Sequence, residues 1–105
     1  MFVVTHEPKF THTVKVQVPT DKGHEVQSFK ATFKVLPVIE EGDATRSAKE
    51  TLEAALCGVS DLVDDANQAV TYTDELRDQL IAIPYVRIAL LDAYIKGVTK
   101  APAGN

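Results

Sequence analysis

Two stretches of strict alternation constrain this chain more than any other feature. Phe10, His12, Val14, Val16 and Val18 occupy every second position, separated by Thr11, Thr13, Lys15 and Gln17. Phe29, Ala31, Phe33 and Val35 repeat the pattern against Ser28, Lys30, Thr32 and Lys34. A period of two gathers the apolar side chains on one face of an extended strand, and no helix can do the same with that spacing. Two such strands with a glycine between them predict an antiparallel hairpin with one buried and one wet face. Paired residues must share a face, so an even-numbered residue must oppose an odd-numbered one. A two-residue turn at Lys22-Gly23 satisfies that parity, with Gly23 supplying a positive φ. It sets Val16 opposite Phe29 and Val14 opposite Ala31. Phe2-Val3-Val4-Thr5, closed off by Pro8, is a candidate third short strand.

Beyond Pro37, which cannot donate to a ladder, the period changes. Ala44, Ala48, Leu52, Ala55, Leu56 and Val59 follow steps of three and four. They predict a helix capped by Asp43 and running to about Cys57, with Gly58 just past its end. Residues 59–72 read as irregular to extended. Leu62-Val63 and Ala69-Val70 flank a turn-rich Asp64–Gln68 segment that could close a second small hairpin. Thr73 caps a further helix whose first turn holds Asp74 and Glu75. Pro84 suits a first helical position better than an interior one, so two pieces are expected, over 74–82 and 84–97. The expected fold is α+β: an N-terminal antiparallel hairpin packed with a C-terminal set of about three helices. Residues 1–100 form its single domain and 101–105 a flexible tail.

The last helix carries two apolar stripes. At 100° per residue, Val86, Ala89, Leu90 and Ala93 form one, and Ile88, Leu91 and Ile95 form a second, roughly opposite. Such a helix either buries both stripes within its own domain or offers one to a partner. In the second case Ile88, Leu91 and Ile95, flanked by Tyr85 and Tyr94, are the contact residues.

Chemistry is harder to find. The chain has 105 residues and a net charge of −4, with eleven acids against three bases over residues 38–78. That acidic centre repels phosphate, and no basic cluster suggests nucleic-acid binding. The single cysteine, Cys57, cannot form an intrachain disulfide and lies among apolar neighbours, which fits a reducing compartment and a small buried thiol. His6, His12 and His24 match no metal-site spacing, and the acidic runs Glu40–Asp43 and Asp61–Asp65 lack the pattern of a calcium loop. There is no phosphate loop, nucleophile elbow or zinc-protease motif. A non-enzyme without cofactor or metal is expected. The apolar run Leu80–Ile95 is broken by Pro84, Arg87 and Asp92 and is too short to span a bilayer. The opening residues do not read as a signal peptide, so a cytoplasmic protein is expected.

Taken in order, Pro8-Lys9-Phe10 leads into THTVKVQVP (11–19), followed by a glycine turn and SFKATFKVLP (28–37). After the helix come CGVSDLVDDANQAVTYT (57–73) and DELRDQLIAIPYVRIALLDAYIKGV (74–98), with Ala93-Tyr94 near the end. This succession resembles the tail assembly chaperones of long-tailed bacteriophages and prophages. Cys57 stands where that family often carries a tryptophan. The resemblance implies binding of the tape-measure protein, recruitment of tail-tube subunits, self-association, and absence from the finished virion. A structural tail or head–tail protein that stays in the particle is the competing expectation.

Overall fold

The computed structural model describes residues 1–37 and 46–99. Asp43, the expected helix cap, and Ala44, Glu40–Asp43 and the 101–105 tail lie outside the described residues. Strands β1 (Lys9–Thr20) and β2 (Gly23–Lys34) form the long hairpin. They are followed by α1 (Ala48–Ala55), β3 (Leu56–Ser60), α2 (Asp74–Ala82) and α3 (Pro84–Thr99). The sheet is antiparallel in the order β1-β2-β3, and the helices lie on one of its faces. The fold is α+β.

Val14, Val16, Phe29, Ala31 and Phe33 are buried, so the alternating face is the core face. The register differs from the expected one by two residues. Val16 opposes Gln27, Val14 opposes Phe29 and His12 opposes Ala31, which places the turn at Asp21-Lys22. Parity is the same in both registers, so the same side chains point inward in each. The turn decides between them. Asp21 and Lys22 keep negative φ, and Gly23 takes φ +119° immediately after them. A glycine just beyond a two-residue turn relieves the twist mismatch that such a turn creates.

The third strand is not Phe2–Thr5. Those residues lie outside any strand, and the β2 edge is taken by β3. The first helix stops at Ala55 rather than Cys57, and Gly58 does not close it. Leu56 already has extended backbone (φ −71°, ψ 121°), and the chain passes directly into the strand. Ala31 pairs with Val59 and Thr32 with Gly58, then the register slips so that Phe33 meets Leu56 and Cys57 bulges. Cys57 is half-buried, with its thiol donating to the Thr32 carbonyl at 3.4 Å. The small hairpin does form. Val63 bridges Ala69, and the Asp64 carboxylate accepts from the amides of Ala66 and Gln68 at 2.9 and 3.0 Å.

Ser47 caps α1 in a reciprocal box. Its hydroxyl accepts from the Glu50 amide at 3.1 Å, while the Glu50 carboxylate accepts from the Ser47 amide at 3.2 Å. The bond from the Ser47 backbone, reinforced by its side chain, holds the Glu50 carboxyl below its ordinary range. A lowered folded-state pKa means the contribution is present above the unfolded pKa and is lost as pH falls through the folded one. Helix α1 should therefore fray at its first turn on acidification below the usual glutamate range. Ser47→Ala should cost about 1 kcal/mol at neutral pH, read by urea unfolding, while keeping most of the acid-side loss, since alanine retains the backbone N–H that chiefly lowers the Glu50 pKa.

Thr73 caps α2 as expected, its hydroxyl accepting from the Leu76 amide at 3.0 Å. Ile83 links α2 to α3 in extended backbone, and Pro84 opens α3 where its missing N–H costs nothing. The Arg87 guanidinium donates to the Ile81 carbonyl at 2.7 Å, satisfying one of the acceptors left open at the end of α2. Phe33, Leu52, Ile81, Leu90 and Val14 are the largest fully buried side chains, drawn from the sheet and all three helices.

Candidate functional site

Helix α3 packs across the sheet beside β1 and presents two apolar rows. Val86, Ala89, Leu90 and Ala93 are buried, the stripe expected to face the domain. On the opposite side Ile88 is 71% exposed and Ile95 48%, while Leu91 is half-buried against the core. Val98, 45% exposed, extends this row by one step. The positions 88, 91, 95 and 98 advance by three, four and three residues, the spacing of a coiled-coil seam. The sequence held that signal, since Val98 continues the rhythm of Ile88, Leu91 and Ile95.

The two tyrosines differ in role. Tyr94 is half-buried, and its hydroxyl accepts from the Leu36 amide at 3.0 Å. Its ring stacks on Phe10 with centroids 6.1 Å apart and meets Phe33 edge-on at 5.5 Å. It fastens α3 to the open end of the hairpin. Tyr85 lies at the other end of α3, where it lines two clefts. The smaller, of about 300 Å³, lies among Val16, Phe29, Leu62, Leu80 and Val86. The larger, of about 880 Å³, runs between β1 and α3. Thr13, Lys15 and Gln17 form one wall, and Tyr85, Ile88 and Asp92 the other.

The remaining candidates disperse. His6 and His24 are exposed, and the His12 ring nitrogen lies 2.7 Å from the Thr13 carbonyl. Among the described residues no three His, Cys, Asp or Glu side chains converge as a metal would require. Asp61 lies 4.0 Å from Lys30, and Asp64 is engaged in its own turn. Tyr72 donates to the Leu56 carbonyl at 3.0 Å, and burial raises its pKa above the ordinary phenol value. Asp92 pairs with Lys96 at 2.9 Å along α3. Among the described residues no helix is long and apolar enough to cross a membrane. No protein-family model, curated protein or solved structure matches this chain.

Proposed function

We propose that this protein is a non-catalytic chaperone of phage tail assembly, which binds the tape-measure protein through α3 and helps recruit tail-tube subunits. The observation that carries the reading is the row Ile88–Leu91–Ile95–Val98, in which Ile88, Ile95 and Val98 are exposed and Leu91 is half-buried between them. A row with heptad spacing on a helix surface suits another helix, whose knobs fill the holes between its side chains. A long helical client with uncovered apolar faces is the kind of partner such a row can shield. The acidic centre of the chain keeps the resulting complexes apart by like-charge repulsion. Many copies along one long client would hold it through avidity rather than tight single contacts. The succession of motifs set out above gives the client its identity.

Ile88→Asp combined with Ile95→Asp tests the seam, because both side chains are exposed and their loss leaves the core intact. The double variant should keep its circular dichroism and thermal midpoint. On co-expression it should leave the tape-measure protein in the insoluble fraction, where the unmodified chain keeps it soluble. A client equally soluble with either form rules out the seam. Mass spectrometry of purified particles addresses the competing reading, since a chaperone should be absent and a structural tail protein present.

A further inference from the structure

The β1 strand has one partner. Among the described residues its other edge is open, because β2 is flanked by β1 and β3 while β1 ends the sheet. The Val35 amide donates to the Pro8 carbonyl at 2.9 Å, in line with the pairing of Lys9 with Lys34 and Phe10 with Phe33. In an antiparallel pair only alternate residues bond across. The even-numbered residues of β1 therefore bond to β2, and Thr11, Thr13, Lys15 and Gln17 turn their amides and carbonyls outward. Three of these four line the 880 Å³ groove, whose opposite wall is the Tyr85, Ile88 and Asp92 side of α3. The groove thus offers a ladder of unpaired backbone groups beside an apolar helix face.

The same chain carries a segment that fits this groove. Phe2, Val3 and Val4 are 85%, 73% and 85% exposed and belong to no strand. Aromatic and β-branched residues in succession are strand-formers, and here they cover nothing. Within its own molecule the segment can reach only the near end of the groove, where His12 begins its lining. Folding back through His6–Pro8 onto its own β1 would bring Phe2 no further than about His12, whereas the groove extends to Gln17. Opposite even-numbered residues of a neighbour's β1, Phe2 and Val4 would turn toward α3 and Val3 toward solvent.

From this juxtaposition we infer that residues 2–5 of one copy add as a fourth strand to the β1 edge of a second copy, over Tyr85 and Ile88. The occupant is another molecule of this chain, held by main-chain hydrogen bonds and by Phe2 and Val4 side chains. The contact is heterologous, so it closes into a ring or reciprocal pair, or else propagates. It gives self-association a structural basis and stands whether or not the client is a tape measure.

Light scattering coupled to size exclusion, over a dilution series and with any tag at the carboxyl end, reads the assembly. The unmodified chain should exceed its 11.5 kDa monomer mass and fall toward it on dilution. Phe2→Asp with Val4→Asp should be monomeric at every concentration, with the thermal midpoint that the unmodified chain shows when diluted to monomer, since the segment packs on nothing within its own molecule. Lys15→Pro removes an outward amide from the edge and should also be monomeric; Gln17→Pro serves where that variant does not fold. Mixed together, the segment variant supplies an intact groove and the edge variant an intact segment, so the two should form a one-to-one pair. Ile95→Asp, off the groove, should retain the assembled mass even where client binding is lost. A monomeric unmodified chain, a segment variant that keeps the assembled mass, or a mixture that does not pair overturns the inference.

Discussion

Phe33→Ala is expected to lower stability by about 4 kcal/mol, enough to leave the domain marginally folded at room temperature. Phe33 is fully buried on the core face of β2, opposite Phe10 and beside Leu56 of the third strand. Its ring lies 5.4 Å from that of Phe10 and 5.5 Å from that of Tyr94. Truncation removes the transfer energy of the ring and leaves a cavity where three elements meet. It also strips both aromatic neighbours of a tilted or edge-on contact. In urea the midpoint should fall by roughly 2 M. Phe10→Ala removes the same number of atoms from a half-buried site at the sheet edge and should cost about half as much. Equal losses at the two positions would mean that the aromatic cluster is not organised around Phe33.

The hairpin was legible because its information is redundant: nine inward positions state one period. Its register was not, because parity is blind to a shift of two. The choice rested on whether Gly23 sits inside the turn or just after it, a matter of one residue's backbone. β3 was illegible for a different reason. Leu56–Ser60 is five residues with a central glycine, following a helix, and that is also how a glycine-capped helix end looks. Only the β2 edge distinguishes them, and that edge is a property of the tertiary fold. On α3 the helical wheel picked out the buried stripe and the exposed Ile88 and Ile95, but it grouped with them Leu91, which is half-buried against the core. The wheel placed Tyr94 at a boundary but could not register its reach, which carries the hydroxyl to Leu36 and the ring onto two phenylalanines. The open β1 edge could not be read at all while Phe2–Thr5 was a candidate to cover the sheet.

Gly97→Ala is expected to destabilise, against the direction that helix propensity alone dictates. Gly97 lies in the last turn of α3, where alanine should stabilise an isolated helix by up to about 1 kcal/mol. A Cβ added there would fall on the Phe10 ring, within 2.6 Å of Cζ and 2.7 Å of Cδ2 and closer still to Cε2. The ring has little room to retreat, since Phe33 and Tyr94 flank it. Overpacking of this kind costs about 1–3 kcal/mol, and a Cβ lying on the ring itself belongs at the upper end, so a net loss of up to about 2 kcal/mol should remain after the helical gain. The double variant Gly97→Ala with Phe10→Leu discriminates between causes. If the clash is responsible, the second change should recover most of the loss that the first inflicts, giving a coupling of at least about 1 kcal/mol in a double-mutant cycle. Additive effects, or a Gly97→Ala variant more stable than the parent, would show that α3 does not lie against Phe10 in solution. The docking of its last turn onto the hairpin would then be wrong, and with it the alignment that leaves Ile95 and Val98 facing outward in one row with Ile88.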